Sequence, residues 1–397
     1  MSAPRYLLFG VFAAYMGIAM FNPVLAPLVR ELGLSEVQAG LMASVAALAW
    51  SVCGAFWGRR SDRIGRKPVF ITGLLGLGVG MAIFTFVAWW GLQALLTGTG
   101  LFLLLFVGRV LAGAFFSAAP AAAQAYLADL TTKAERTKAM ATYGAALGMG
   151  FVLGPALSGV LAGFGVLVPL LGTALLPLLG ALVAARLPKV QRTSQEQLPR
   201  LQPWDARVWP FLLVGFVANT ALILSQVTAG FWVQDRFGFS AERTVQAVAV
   251  ALFAAGVTLV FVQLLVVRRV KWSPVTLMRL GLTASLFGYV LLLVAPSVPL
   301  LVLAFVLIGA GIAFNEPGFT SATTLVVSEQ EYGAVSGLTA SVVGLAAMVA
   351  PLLGTLLYQW QAHLPFVVGA ILIAVMIGFV WLHPHMNQAK LAATAGN

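Results

Sequence analysis

One acidic side chain, Glu316, lies deep inside a long apolar run of the sequence. The run extends from Leu300 to Val327, and Glu316 lies about 3 Å from its middle on a helix that rises ~1.5 Å per residue. Burial disfavours the charged form of a carboxyl group, which brings its proton exchange nearer physiological pH. Glu316 is therefore a candidate proton carrier, and the alternative is a hydrogen-bonded structural carboxyl group.

A basic side chain, Arg109, lies inside another apolar run. Placing an ionisable group at such a depth costs at least about 2.5–3.5 kcal/mol, so Arg109 and Glu316 should both face the protein interior or a wet cavity. Arginine does not release its proton, so Arg109 can tune or pair with a carboxylate or an anionic substrate. The alternative is a structural tether to backbone carbonyl groups.

Polar and aromatic residues recur at helical spacing on one face of four apolar runs. Each of them alone is as consistent with interhelical hydrogen bonding as with ligand binding. These faces are Tyr15, Ala19, Asn22 and Ala26; Arg109, Gly113, Phe116, Pro120 and Gln124; Asn219, Gln226 and Gly230; and Gly309, Ala313, Glu316, Thr320 and Thr324.

The composition excludes an ordinary soluble enzyme. Of 397 residues, 60% are hydrophobic and only 9% are charged, whereas soluble domains are nearer one quarter charged. One cysteine, Cys53, and three histidines favour neither a disulfide framework nor a metal site, and no cofactor is expected. His363, His383 and His385 lie at the ends of predicted spans and no lysine lies in the interior of one, so an intramembrane enzyme would lack a base.

Twelve apolar runs are long enough to cross a membrane. Nineteen of the 23 lysine and arginine residues lie near the termini or in the loops after even-numbered runs, whereas only Arg30, Arg236 and Arg243 lie on the opposite side. The positive-inside rule then places both termini in the cytoplasm, in a multi-pass inner-membrane protein. The net charge of +11 follows from this topology and requires no nucleic-acid partner. The runs are 6–29, 36–58, 69–90, 95–128, 138–163, 166–186, 209–231, 243–267, 275–295, 298–327, 333–358 and 364–382.

The chain divides into two related halves. Residues 188–208 are rich in Gln, Pro and charge, which predicts a cytoplasmic linker between a six-helix half at 1–187 and another, with a short tail, at 209–397. Val110–Ala114 matches Val306–Ala310 at an offset of 196, and Gly148, Pro155 and Pro169 recur at the same offset. Duplication of this kind suits a secondary transporter whose site lies between the halves.

The loop after the second run carries a motif that combines glycines, an aspartate and basic residues. Asp62 can meet the positive end of a neighbouring helix, and the arginines can pair with Asp129 at the end of the fourth run. The loop is therefore predicted to act as a latch on one conformation, and the alternative is a basic loop that only sets the topology. The motif is Gly58, Arg59, Arg60, Ser61, Asp62, Arg63, Ile64, Gly65, Arg66 and Lys67.

This loop resembles the G-x-x-x-D-R-x-G-R-[KR] signature of the major facilitator superfamily at every fixed position. The resemblance implies an all-α membrane protein with twelve transmembrane helices in two pseudo-symmetric six-helix bundles, alternating access, and a cavity lined mainly by spans 1, 4, 7 and 10. From the residues described above we expect a gating role for Gly58, Asp62, Arg63, Gly65, Arg66, Lys67 and Asp129, and proton coupling through Glu316, Arg109 and Asp62. The predicted substrate cavity contains Tyr15, Asn22, Phe116, Gln124, Asn219, Gln226, Glu316 and Thr320.

Two further stretches are similar to the drug/proton antiporter branch of this family. Gly150, Gly154, Pro155 and Gly159 follow its G-x-x-x-G-P-x-x-G-G stretch, with Ser158 in place of one glycine. Glycines one turn apart let another helix approach, so we expect span 5 to pack closely against the second half; the alternative is a purely structural Gly/Pro helix. In span 4, Arg109 begins a stretch similar to R-x-x-Q-G in which Ala112 replaces the glutamine.

Together these features predict a proton-driven exporter of lipophilic or cationic small molecules. The implied pocket is mostly apolar and aromatic, which suits such substrates better than a sugar. We expect a monomer in the lipid bilayer that uses the proton gradient as its energy source. The alternative is an exporter of one specific metabolite, siderophore or lipid on the same scaffold.

Overall fold

The computed structural model describes residues 3–188, 201–267, 269–270, 272–384 and 386. Most of the predicted linker, 189–200, lies outside the described residues, as do Arg268, Lys271 and Lys390, which contributed to the predicted topology, and His385. Throughout the described ranges the chain forms helices, turns and irregular segments without a β-strand.

Thirteen α-helices make up most of the described chain, and a π-helix at Val262–Val267 and a short 3₁₀ helix at Glu329–Glu331 accompany them. The helices are α1 Ala3–Glu31, α2 Glu36–Ile64, α3 Arg66–Leu92, α4 Gly98–Phe116, α5 Ala118–Leu130, α6 Lys133–Ala162, α7 Val168–Ala184, α8 Trp209–Phe237, α9 Ala241–Phe261, α10 Pro274–Val294, α11 Val298–Leu325, α12 Tyr332–Trp360 and α13 Leu364–Leu382.

These helices agree with the predicted spans, with two differences in detail. Within the described ranges, eleven helical segments are long and apolar enough to cross a membrane, and α7, at 17 residues, is a shorter apolar helix. The predicted span 4 consists of α4 and α5, which meet at Ser117. Pro120 has no N–H to donate to the Phe116 carbonyl, so the regular hydrogen-bond ladder is interrupted there.

Local sequence explains where α2 begins and ends. Ser35 and Gln38 form a capping box, in which the Gln38 backbone N–H donates to Ser35 Oγ at 3.3 Å and the Ser35 N–H donates to Gln38 Oε1 at 2.8 Å. At the other end Gly65 has φ of 98°, a conformation that favours glycine, and its N–H donates to the Ser61 carbonyl at 3.1 Å. The chain can therefore turn from α2 into α3 at the centre of the motif loop.

Contacts between Cα atoms group the chain into two units. Unit 1 contains residues 1–194 and 229–250, and unit 2 contains residues 195–228 and 251–397. Within unit 1, Arg30 at the end of α1 forms ion pairs with Asp235 and, at 3.3 Å, with Glu36, and lies 5.2 Å from the ring centre of Phe231. These contacts help to explain why residues 229–250 group with the first unit; the predicted halves 1–187 and 209–397 stay a prediction.

Helices of unit 1 approach closely where small residues face each other. A Cβ atom on Gly80 of α3 would lie only 2.8 Å from the backbone nitrogen of Ala112 on α4, and Ala112 is buried. The glycine at position 80 therefore lets the backbones of α3 and α4 touch at Ala112.

Unit 2 has a core of large apolar side chains and a close helix pair. Phe211, Met278, Tyr289 and Phe319 belong to one buried cluster that joins α8, α10, α11 and α13. Where α10 meets α11, a Cβ atom on Gly281 would lie 2.7 Å from the backbone nitrogen of Asn315. The small residue lets the two backbones touch and fixes the part of α11 that carries Glu316.

Candidate functional site

Glu316 is half-buried on α11 and accepts a hydrogen bond from α8. Asn219 Nδ2 donates to Glu316 Oε1 at 2.8 Å and also to the Gly215 carbonyl of its own helix at 3.0 Å. One turn along α11, Thr320 Oγ1 donates to the backbone carbonyl of Glu316 at 2.7 Å. The predicted cavity residues Asn219, Glu316 and Thr320 are therefore neighbours.

The ends of α11 give the position of Glu316 along its helix. The helix extends from Val298 to Leu325, so Glu316 lies about 7 Å from the helix midpoint, at ~1.5 Å per residue. The depth of Glu316 in the membrane stays a prediction. Helix α11 continues through Pro317.

An open cavity of about 450 Å³ lies beside the Glu316 carboxyl group. Sequence reasoning did not identify Gln263, although a polar residue within an otherwise apolar stretch, VFVQLLVV, was a usable signal. Gln226 lies two turns after Asn219 on α8 and is half-buried, but it does not belong to this lining. The residues around the cavity are Gln263, Leu264, Val267, Glu316, Pro317 and Thr320.

The predicted cavity residues of unit 1 form an aromatic cluster. The ring of Tyr15 on α1 lies 5.2 Å from Phe116 and 5.3 Å from Phe151, between ring centres. Gln124 Nε2 donates to the Tyr143 hydroxyl group at 3.4 Å. The structure thus adds Tyr143 and Phe151, both from α6, to the predicted set.

Asn22 is separated from this cluster. Asn22 lies two turns after Tyr15 on α1 and is exposed, whereas Tyr15 is buried. Tyr15 therefore packs against protein, and the predicted ligand contact of Asn22 stays a prediction.

Arg109 is held by three helices of unit 1. Its guanidinium carbon lies 4.1 Å from the ring centre of Phe21, Nε donates to the Met42 carbonyl at 3.4 Å, and Nη1 lies 3.7 Å from Met81 Sδ. These partners match the structural-tether alternative. A role for Arg109 in proton coupling stays a prediction.

The motif loop is organised around Arg66. Its guanidinium group forms an ion pair with Asp62, donates to Ser61 Oγ at 2.7 Å, and bonds Asp129 Oδ2 through Nε at 3.2 Å. The side chains of Arg66 and Asp129 are both only 8% exposed. The structure therefore joins α2, α3 and α5 through one buried arginine.

The other motif residues have different surroundings. Lys67 Nζ donates to the Ala185 carbonyl after α7 at 2.7 Å, whereas Arg63 is exposed. A Cβ atom on Gly58 would meet nothing within 4 Å of the described residues, so packing does not require a glycine there. Gly65 is required for its positive φ, as described above.

The glycines of span 5 pack within unit 1. A Cβ atom on Gly150 would lie 2.8 Å from the Met16 backbone nitrogen, and one on Gly154 would lie 2.6 Å from Ala19 Cβ. Their close partner is therefore α1, and the expectation that these two glycines pack against the second half was wrong. The reason is helical phase, since residues one turn apart on α6 share the face turned toward α1.

The remaining span 5 residues lie further along α6. A Cβ atom on Gly159 would lie 2.8 Å from Ala249 Cβ on α9, so this glycine alone of the three meets a residue from the second half of the sequence. Pro155 lies inside α6 without ending it, and Ser158 is fully buried.

Gly154→Leu should lower both the melting temperature and the transport rate. Overpacking a well-filled interface costs about 1–3 kcal/mol, and here the added side chain would push α1 away from α6. Gly148→Leu is the matched control, because a Cβ atom there meets nothing within 4 Å on the same helix. Thermal unfolding and substrate transport of both variants test this, and equal behaviour of the two would contradict the close-contact assignment.

An ion cluster lies in unit 2 at the segment before α8. Arg207 Nη2 bonds Asp205 Oδ2 at 2.8 Å and Glu331 Oε1 at 2.9 Å. Hydrogen bonds from Arg207, and then from Ser328, lower the pKa of Glu331 from 4.5 to about 2. The Arg207 hydrogen bonds also lower the pKa of Asp205.

The stabilisation from this cluster should weaken in acid. A depressed pKa in the folded state means that the contribution is complete above 4.5 and is lost as the pH falls toward 2. The difference in melting temperature between the parent and Glu331→Gln should therefore shrink across that range, and it should be small throughout because the pair is exposed. A difference that stays constant with pH would refute the prediction. In a protein that already carries Arg207→Gln, adding Glu331→Gln should show a much weaker trend, because the main cause of the low pKa of Glu331 has been removed.

The observations define a multi-pass, all-helical membrane protein with a half-buried carboxyl group beside a cavity. The family model for the Major Facilitator Superfamily matches residues 7–344 and 270–395, so the chain belongs to that superfamily and is a transporter rather than an enzyme.

Similar proteins extend over nearly the same length. The chain is 25% identical to "Multidrug resistance protein 2" of Bacillus subtilis (strain 168), over 97% of this chain and 96% of that protein. It is 27% identical to "Tetracycline resistance protein, class C" of Escherichia coli, over 91% and 92%. A solved bacterial homologue of the human lysosomal transporter Spinster, inward-facing and occupied, has a TM-score of 0.74 at 14% identity, with coverage of 99% and 98%. The last similarity shows the fold alone.

Proposed function

We propose that this protein is a proton-coupled exporter of lipophilic or cationic small molecules that works by alternating access. The observation that carries the proposal is the Glu316 carboxyl group at the wall of a cavity of about 450 Å³. The multidrug and tetracycline resistance relatives support export of drug-like molecules. We place the protein in the inner membrane as a monomer with cytoplasmic termini.

The chemistry of the cavity supports a cationic or lipophilic substrate. Leu264, Val267 and Pro317 supply apolar walls, while Glu316 supplies the one carboxyl group among the described lining residues. A drug-sized ligand commonly occupies a pocket of ~300–1,000 Å³ that is mostly apolar with few polar groups. A cation with an apolar body would fit both the apolar walls and the Glu316 carboxyl group.

Proton coupling follows from competition for one carboxyl group. When Glu316 is ionised, it can accept the hydrogen bond from Asn219 and bind a cation. When it is protonated, it no longer carries the negative charge that attracts the cation. Asn219 of α8 donates to this carboxyl group, and Gln263 of the π-helix lines the same cavity; neither amide titrates. A proton and a cationic substrate would therefore exclude each other at Glu316, as antiport requires.

Transport into proteoliposomes under an imposed pH gradient tests the proposal. Purified protein should concentrate ethidium inside vesicles whose interior is acidic, and a protonophore that collapses the gradient should abolish the accumulation. Vesicles without protein give the passive rate. Accumulation that continues unchanged after the gradient collapses would refute proton coupling.

A further inference from the structure

A π-helix forms the second wall of the cavity beside Glu316. After Phe261, helix α9 continues as six π-helical residues, Val262–Val267. Short π-helical segments are rare and occur frequently at functional sites, because they change the direction of side chains that follow a regular helix. Gln263 is the polar residue of this turn, and the proposed coupling scheme assigns it no role.

Helices α9 and α11 pack closely just before the π-helix. At Gly309 a Cβ atom would lie 2.5 Å from the Ala255 carbonyl oxygen, so the two backbones are in direct contact there. Seven residues later on α11 and eight later on the other helix, Glu316 and Gln263 line the cavity of about 450 Å³. The cavity is therefore the gap between α11 and the π-helix, which remain neighbours.

The lining residues have the same spacing along the chain on both walls of the cavity. The π-helix contributes positions 263, 264 and 267, and α11 contributes positions 316, 317 and 320, so one turn of each element faces the gap. In each turn the first position has the longest polar side chain, Gln263 on one wall and Glu316 on the other. The remaining lining is apolar except for the Thr320 hydroxyl group, which donates to the Glu316 backbone.

We propose that Gln263 determines substrate specificity by hydrogen-bonding a polar group of the molecule that Glu316 binds. Its amide both donates and accepts, so it recognises an amine, hydroxyl or carbonyl group on the substrate. The selected class is amphipathic cations that carry such a group, in preference to cations of similar size that carry none. This inference rests on the proposed function, because it assigns a second contact within the same cavity.

Two cationic probes separate this role from general packing. Ethidium carries amino groups that donate hydrogen bonds, whereas tetraphenylphosphonium has no hydrogen-bonding group. Gln263→Leu should raise the Kd of ethidium about 3–10-fold, since a net hydrogen bond contributes about 0.5–1.5 kcal/mol, and should leave the Kd of tetraphenylphosphonium unchanged. Gln361→Leu makes the same chemical change at an exposed position after α12 and should affect neither probe.

Gln263→Met, an unbranched apolar replacement, keeps the test decisive if the leucine variant does not fold. Equal weakening of both probes, or no change for either, would overturn the assignment. Proton release at saturating ethidium is measured on the same preparations, and we expect the Gln263 variants to release as many protons as the parent. If Glu316→Gln also releases protons normally, the proposed coupling fails while the discrimination between the probes still decides the role of Gln263.

Discussion

Asp62→Asn should reduce transport by about tenfold or more while the protein still inserts and folds. The substitution preserves the shape of the side chain but removes the charge that Arg66 pairs with. A hydrogen bond to a charged group contributes about 1.5–3 kcal/mol, and ~1.4 kcal/mol corresponds to a factor of ten. Because Asp129 still pairs with Arg66, the fold of the loop should persist while the conformation that the latch stabilises becomes less populated.

The measurement is the transport rate per folded protein, with the melting temperature as the check on folding. Arg63→Ala is the control within the same loop, because Arg63 is exposed and should lose little activity. Arg66→Ala should be at least as damaging as Asp62→Asn. It removes the guanidinium group that pairs with the buried Asp129 carboxylate, and this carboxylate then stays buried without that partner. Full transport by a well-folded Asp62→Asn protein would rule out the latch.

Glu316→Gln should abolish accumulation of a cationic substrate against a pH gradient. Glutamine imitates the protonated carboxyl group, so the site can no longer exchange its proton or offer a charge to the cation. The amide can still interact with Asn219, and the cavity walls are unchanged, so folding should be preserved. Loss of uphill transport is expected to be complete, which makes this the largest effect among the predictions.

Two companion variants test the separate contributions of the carboxyl group and of its hydrogen bond. Glu316→Asp keeps the ionisable group on a shorter side chain and should retain part of the coupling. Asn219→Ala removes the hydrogen bond from α8 but leaves the carboxyl group, so it should change the pH dependence of transport without abolishing it. Uphill transport by Glu316→Gln at the parental rate would mean that another group carries the proton.

The sequence predicted the helices well because their signals are local. Apolar length and the capping residues Ser35 and Thr132 fix where helices lie, and Gly65 fixes the turn between α2 and α3. An arginine of the motif could be paired with Asp129 in advance because opposite charges at adjacent helix ends attract. Asp62 was expected to meet the positive end of a neighbouring helix, and its ion pair with Arg66 was not predicted. The sequence did not distinguish Arg66 from its basic neighbours, since burial depends on how α3 packs.

Contacts that depend on helical rotation could not be predicted in the same way. The glycines at 150 and 154 indicated a close helix, but only the packing shows that this helix is α1. Gln263 escaped notice because a π-helical turn changes which side chains face α11, and regular helical spacing does not anticipate such a turn. The sequence left two roles open for Arg109, a functional one and a structural tether. It could not decide between them because the partners Phe21 and Met42 come from helices distant in sequence.

Proton release on substrate binding tests the central claim most directly. Purified protein in weakly buffered detergent solution is mixed with ethidium, and the pH change is recorded for the parent and for Glu316→Gln. The account predicts release of protons by the parent and none by Glu316→Gln, with tetraphenylphosphonium giving the same contrast. Equal proton release by the two proteins would contradict the assignment of Glu316 as the group that exchanges a proton for the substrate.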